Sequence, residues 1–365
     1  MPTYIHNRKN YPKFTWDSAK ITDILVRVAT LQGSVLGKMK QFGFGIQQQA
    51  MLNALTEEIT KSSEIEGEIL NSEQVRSSLA RRLNIHLENP ATESHHIDGV
   101  VQAMVDAVDN YSRPLTNARL FGWHSALFST GYSGIHKILV GKYRKEEMQV
   151  VSTKGYRDIV HYEAPLPNAV PKQMKEFLDW LNKDGNENPL LKAAIAHLWF
   201  VIIHPFDDGN GRLTRTITEM MLAKAENTNL RFYSMSAQIQ KEKKGYYAVL
   251  ERTTTGDTDI TAWLVWFFGC LERAIQGSSE IVGAVLKKAE FWHKNAIKIP
   301  DPRQQEIMNK LFDGWIGNLT SGKVAQFLKT SPATAIRLLQ DLTDKGFLVM
   351  VGSGRTTHYE LPQNK

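Results

Sequence analysis

Apolar residues recur every three to four positions along most of this chain, and that period admits little besides packed helices. From 21 to 40 they stand at Ile21, Ile24, Leu25, Val28, Leu31, Val35 and Leu36, one face of a helix. The same period predicts helices over 47–63, 72–83, 93–111, 116–129, 171–182, 190–203, 211–224, 246–253, 260–276 and 278–294. One segment departs from it. Residues 148–152 and 159–163 flank a turn containing Gly155, which predicts a β-hairpin, and Pro165, Pro167 and Pro171 close that stretch. The fold class is mainly α.

At 365 residues, with 42% apolar and 22% charged positions, the chain has room for two or three domains of roughly 150 residues. It is neither a disordered tail protein, nor collagen-like, nor a disulfide-stapled miniature. Cys270 is the sole cysteine, so no internal disulfide forms and a reducing compartment is expected. The first ten residues lack a signal peptide's apolar core, and the stretches 193–203 and 262–271 are far shorter than the ~20 apolar residues of a span. A cytoplasmic protein without a membrane partner is the expectation.

Residues 286–365 hold 12 Lys and Arg against 7 Asp and Glu, a net +5 of the whole chain's +6. After a linker at 296–302, punctuated by Pro300 and Pro302, the pattern predicts helices at 304–313, 320–328 and 331–345. Strands at 346–351 and 356–361 follow, joined by a Gly352-Ser353-Gly354 turn. That order resembles a winged helix-turn-helix. Its presumed recognition helix sets Arg337 and Lys345 against Asp341 and Asp344, a poor footprint for DNA. Docking of a protein, or spacing of a homodimer, is the favoured reading of this module over DNA binding.

The chemistry concentrates in His204-Pro205-Phe206-Asp207-Asp208-Gly209-Asn210-Gly211-Arg212-Leu213-Thr214-Arg215. Pro205 disfavours helix at His204, so the apolar helix before it should end there. Gly209 and Gly211 allow backbone geometries closed to other residues. The next helix begins at once, so its unpaired amides and positive dipole end face the loop and form an anion cradle, reinforced by Arg212 and Arg215 one turn apart. Asp208 can hold a hard divalent cation, and His204 is a base that titrates near working pH. Together these groups point to nucleotidyl or phosphoryl transfer. Each alone is ordinary: a helix-end histidine, a turn.

With eight specified residue types in twelve positions, the segment is similar to the signature of Fic-domain proteins, His-x-Phe-x-Asp/Glu-Gly-Asn-Gly-Arg-x-x-Arg. The resemblance extends over 117–271 and implies a Fic-type helical core with the hairpin as its flap. It implies an enzyme, a protein adenylyltransferase that moves AMP from ATP to a Ser, Thr or Tyr hydroxyl of a protein in the presence of Mg²⁺. In that likeness His204 deprotonates the hydroxyl and Asp208 holds Mg²⁺. Gly209, Asn210 and Gly211 form the anion hole, Arg212 stabilises the transferring phosphates and Arg215 grips the γ-phosphate. Val150, Val151 and Ser152 belong to the flap, which the likeness places against the bound ATP and where the target protein is clamped by strand addition. Tyr246 and Tyr247 match a pair near the adenine, while an Asn of some relatives would fall at about Thr254.

Upstream, Ser62-Ser63-Glu64-Ile65-Glu66-Gly67 resembles the family's inhibitory helix, Ser/Thr-x-x-x-Glu-Gly/Asn. The likeness implies a bidentate Glu66–Arg215 pair that blocks the γ-phosphate. A plain helix end at Gly67 is the other reading. The segment 4–16 resembles an N-terminal domain found with some bacterial Fic proteins. The expected organisation is an N-terminal helical region with the inhibitory helix over 1–111, the core over 112–295 and the winged helix over 303–361. Two rivals remain: AMP removal with Glu66 orienting a water, and a DNA-binding regulator that only senses nucleotide. His95, His96 and His197 lack a convincing metal-ligand set, and Trp263, Trp266 and Phe267 read as core.

Overall fold

The computed structural model describes residues 3–154, 157–183, 185 and 187–362. The turn expected at Gly155 lies outside them, as does the side chain of Ser152. Packing divides the chain into two units, Met1–Ile281 and Val282–Lys365.

In the first unit a single 3-10 turn, Ile5–Asn7, precedes helices α1 (Ser18–Lys40), α2 (Phe44–Ile65), α3 (Ser72–Arg82), α4 (His95–Asp109) and α5 (Asn117–Leu127). Two antiparallel hairpins follow, β1–β2 (Tyr132–Ser133, His136–Lys137) and β3–β4 (Gln149–Lys154, Arg157–Glu163). The helical order resumes with α6 (Val170–Asn182), α7 (Pro189–Ile203), α8 (Asn210–Glu226), α9 (Met235–Lys241), α10 (Lys243–Thr254) and α11 (Thr261–Asn295).

α7 is the axis of this unit. Asn188 caps it by accepting from the amides of Leu190 and Leu191, and Pro189 supplies a fixed first turn. Nearly every side chain from Leu190 to Ile203 is buried, the mark of a helix surrounded on all sides. It packs on α6 and α8, and Trp263 of α11 donates its indole N–H to the carbonyl of Ala194 at 2.9 Å. Trp263 and Phe267 are fully buried core residues. The N-terminal helices join the same body: α4 packs on α5 and α8, and α2 on α3, α8 and α9. The region 1–111 is thus not a separate lobe, because the apolar faces of α2 and α4 find their cover in residues beyond 111.

Two expected helices, 260–276 and 278–294, are one continuous helix, α11. Gly277 lies between the two expected ranges, and a lone glycine costs a helix only about 1 kcal/mol. Helix α9 and the β1–β2 hairpin leave no mark in the sequence pattern, since both are too short to carry a period.

In the second unit, α12 (Pro302–Phe312), α13 (Ser321–Phe327) and α14 (Pro332–Asp344) precede the antiparallel pair β5 (Val349–Val351) and β6 (His358–Glu360), a winged-helix-like order. Its core joins Ile307, Met308, Val324, Leu338, Leu339, Leu342 and Leu348. Ile299, inside the expected linker, is fully buried in that core, and Phe291 and Trp292 pack against it. The second unit therefore starts within α11, ahead of the two prolines. Among the described residues, no helix is long and apolar enough to cross a membrane.

Candidate active site

His204 closes α7 in a left-handed conformation, φ 47° and ψ 60°, which turns the chain out of the helix and into the 204–209 loop. The loop is braced from several sides. Asn210 accepts from the Phe206 amide at 3.0 Å and donates to its carbonyl at 2.8 Å. Asp207 accepts from the Leu139 amide at 2.8 Å. His124 of α5 stacks on Phe206, with ring centroids 4.2 Å apart, and reaches the Asp208 carbonyl at 3.2 Å. Gly209 has φ 81°, and a Cβ there would stand 2.7 Å from the ring of Phe128, so only glycine fits.

α8 starts at Asn210, and its first intrahelical bond runs from the Leu213 amide to the Gly209 carbonyl. The amides of Asn210, Gly211 and Arg212 therefore point out of the helix end, the arrangement that holds anions. With its side-chain amide bonded on both sides to Phe206, Asn210 offers this cradle only its backbone.

A cavity of about 630 Å³ opens on this helix end, within the range of small-ligand sites. It is lined by Val150, Val151, His161 and Tyr162 of the hairpin, by His204 and Asp207–Gly211, by Tyr246, Tyr247 and Thr254, and by Glu66. Tyr246 is buried and its hydroxyl meets His197 at 2.9 Å; Tyr247 is 40% exposed. Arg212 and Arg215 do not line the cavity: both are buried behind its wall.

The reason is the turn that ends α2. Gly67, at φ 86°, lets the Glu68 amide reach the Ser63 carbonyl and the Gly67 amide reach the Glu64 carbonyl, both at 3.0 Å, which is a Schellman cap. The plain helix end and the acidic motif are thus the same feature. Glu66, at the cap, sets Oε1 2.8 Å from the terminal nitrogen Nη2 of Arg215. It also stands so close over Gly211 that a Cβ there would collide with it. The expected bidentate pair is not formed. Ser62 takes the rest of the fork, its hydroxyl accepting from Nε and its carbonyl from Nη2, each at 2.8 Å. Arg215 Nη1 and Arg212 Nε are buried without a hydrogen-bond partner among the described residues.

His204 carries a usable lone pair. Its Nδ1 lies 3.2 Å from the Val201 carbonyl; a carbonyl only accepts, so Nδ1 bears the proton and Nε2 is left basic. Burial lowers its pKa to about 4, so the ring is neutral at pH 7. Asp208 accepts from the Ser133 hydroxyl and the Gly209 amide and still has lone pairs toward the cavity. Among the described residues no group of three His, Cys, Asp or Glu is gathered to hold a metal. One cavity carboxylate still suits Mg²⁺, whose shell is usually completed by phosphates and water.

Residues 114–222 match the Fic/DOC family. Residues 4–85 match a domain of unknown function, DUF4172. The chain is 31% identical over 142 residues to the protein adenylyltransferase Fic of Nematostella vectensis, covering 38% of this chain and 29% of that protein. It is 28% identical over 117 residues to a probable protein adenylyltransferase of Aquifex aeolicus, covering 31% of this chain and 34% of that one. The chain therefore spans less than two thirds of the length of either relative. A crystal structure of a Fic family protein from Desulfovibrio desulfuricans shares the fold with a TM-score of 0.55 at 21% identity, over 97% of this chain and 99% of that one.

The match to the Fic family ends ahead of Tyr246 and Tyr247. Three further residues of the candidate site have no motif in the sequence. Arg144 ties the His204 carbonyl to the hairpin, Glu68 holds Arg212, and Tyr162 bonds the Ile202 carbonyl at 2.7 Å while meeting His6 at 3.1 Å.

Proposed function

We propose that this protein transfers AMP from ATP to a hydroxyl side chain of a protein, and that the Glu66–Arg215 contact restrains the reaction. The observation that carries the reading is a neutral histidine with a basic Nε2, on the wall of a cavity that ends at the amides of α8. In the reaction the acceptor oxygen bonds the α-phosphorus, the bond from that phosphorus to the bridging oxygen breaks, and pyrophosphate leaves. His204 takes the acceptor's proton, a role typically worth 10²–10⁴-fold. The amides of Asn210, Gly211 and Arg212 hold phosphate oxygens, and Arg212 and Arg215 neutralise their charge. Asp208 would hold Mg²⁺, which supplies charge neutralisation on the polyphosphate. Tyr247 and Tyr246 form the side of the cavity toward the base.

The β3–β4 pair is the proposed dock for the target. Val151 and Val160 are 49% and 41% exposed, and the register shifts between Val150 and Val151, a bulge that re-aims a strand beside a site. Restraint follows from charge: Glu66 stands over Gly211, where a phosphate oxygen would sit, and engages Arg215. In the second unit the wing strand exposes Val349, Met350 and Val351, which supports a protein contact over DNA.

The test is incubation of the full chain with ATP labelled at the α-phosphate and Mg²⁺. Label should become covalently attached to protein, faintly with the native chain and strongly with Glu66→Gly. No protein-bound label in either would overturn the reading. Loss of AMP from a pre-labelled acceptor, dependent on Glu66, would replace it with AMP removal.

A further inference from the structure

We infer that Glu68 is a second restraint on the phosphate site, acting through Arg212 as Glu66 acts through Arg215; the inference rests on the proposed transfer reading. One turn delivers both carboxylates. With Gly67 left-handed between them, Glu66 and Glu68 flank the end of α2 and face the two arginines of α8, each at 2.8 Å. Glu68 Oε2 accepts from Nη1 of Arg212, and its Oε1 meets His96 of α4. Those contacts, His96 first, hold the Glu68 carboxyl below its ordinary pKa, so it is charged at pH 7. Arg212 lies across Phe128, 4.9 Å from the ring centroid, and is 8% exposed.

The guanidinium is therefore fixed on one side by a ring and on another by a carboxylate, with Nε unpartnered and none of it on the cavity wall. For Arg212 to meet a phosphate, the Glu68 contact has to be released or shared. The turn also brings two negative charges to a helix end suited to a polyanion. A charge-assisted hydrogen bond is worth about 1.5–3 kcal/mol, so freeing Arg212 should tighten polyphosphate binding roughly tenfold or more.

The experiment titrates the full chain calorimetrically with MgATP and, separately, with sodium tripolyphosphate. It compares the native chain, Glu68→Gln, Glu68→Asp, Glu66→Gly and the double variant Glu66→Gly/Glu68→Gln. Glu68→Gln should bind both probes about tenfold tighter, Glu68→Asp should stay near native, and the double variant should bind tighter than Glu66→Gly by a similar factor. Unchanged or weaker binding by a folded Glu68→Gln would overturn the inference, the weaker result making Glu68 a support for Arg212. A thermal melt separates misfolding, and if Glu68→Gln melts early, Glu68→Ser takes its place. Failure of the transfer reading has a different signature: both probes tighten, yet labelled ATP leaves no AMP on protein in the double variant.

Discussion

Arg144 donates its Nε to the carbonyl of His204 at 2.8 Å. Its own amide reaches the Pro205 carbonyl at 2.9 Å, and its remaining fork nitrogens reach the carbonyls of Glu146 and Pro165. One buried guanidinium thus joins the His204 loop to both flanks of the hairpin that forms the other wall of the cavity. After burial, its charge is the next influence that keeps His204 unprotonated.

Replacing Arg144 by Met should therefore damage both fold and site. Three carbonyls lose their donor, a loss on the order of 3 kcal/mol, and the melting temperature should fall by about 5–10 °C. AMP transfer should fall at least tenfold. Arg144→Lys keeps the charge but not the fork and should recover little. A lysine variant with native melting and native transfer would remove Arg144 from the site.

His204 is best tested with asparagine. Alanine at φ 47° adds backbone strain to the loss of the base, whereas asparagine tolerates that conformation. His204→Asn should bind MgATP as the native chain does and lose 10²–10⁴-fold in transfer, measured in the Glu66→Gly background so that the starting rate is high. Transfer within a few-fold of that background would put the base elsewhere.

A role set by neighbours in sequence is legible in the sequence, and a role set by distant partners is not. The 204–215 loop is legible because its roles depend on neighbours in sequence: a proline that ends a helix, glycines that turn it, arginines one turn apart. The helix end at Gly67 is legible for the same reason, while the pairing of Glu66 with Arg215 comes only from the family likeness. Arg144, Glu68 and Tyr162 act on partners 21 to 144 positions away, and no local spacing names those partners. The monodentate geometry at Arg215 was equally out of reach, because the competing ligand is the backbone and hydroxyl of Ser62. Gly277 shows the opposite case: a local breaker signal that does not interrupt α11.

Asp208→Ala should separate nucleotide binding from metal dependence. The α8 amides remain, so ATP without metal should bind with near-native affinity, while the gain in affinity and rate on adding Mg²⁺ should vanish. Calorimetry with ATP in EDTA and with MgATP checks both arms. If the Mg²⁺ effect survives, the metal lies elsewhere, and Asp207 is the next carboxylate on the cavity wall.

Stability should fall in mild acid. His197 is fully buried between Thr218 and Tyr246, each at 2.9 Å, and burial pushes its pKa down to about 3. A histidine in the unfolded chain titrates near 6.5, so between those values the unfolded chain binds a proton that the fold refuses. The contribution is complete above pH 6.5 and is lost on acidification by about 1.4 kcal/mol per pH unit. His124 and His204, both lowered to about 4 by burial, steepen the slope. Melting temperatures taken between pH 7 and pH 5 should drop steadily, and a flat profile would mean that these rings are solvated.

The N-terminal segment should control the hairpin. Tyr162, 5% exposed, sits on β4 opposite Val150. Tyr4 packs edge-on against its ring at 5.3 Å, His6 meets its hydroxyl at 3.1 Å, and that hydroxyl bonds the Ile202 carbonyl at 2.7 Å, two residues before His204. Residues 4–6 thus hold the base of the β3–β4 hairpin against the last turn of α7. Tyr162→Phe keeps the ring and removes the bond, at a cost of about 1–2 kcal/mol. Amide exchange should accelerate along β4 and the end of α7 and stay unchanged in α8. MgATP affinity should be native, because the phosphate cradle does not involve Tyr162, while labelling of protein should fall several-fold. His6→Leu should reproduce the exchange pattern more weakly. If Tyr162→Phe weakens MgATP binding as much as it weakens labelling, the tyrosine serves the nucleotide half of the cavity and residues 4–6 have no role at the hairpin.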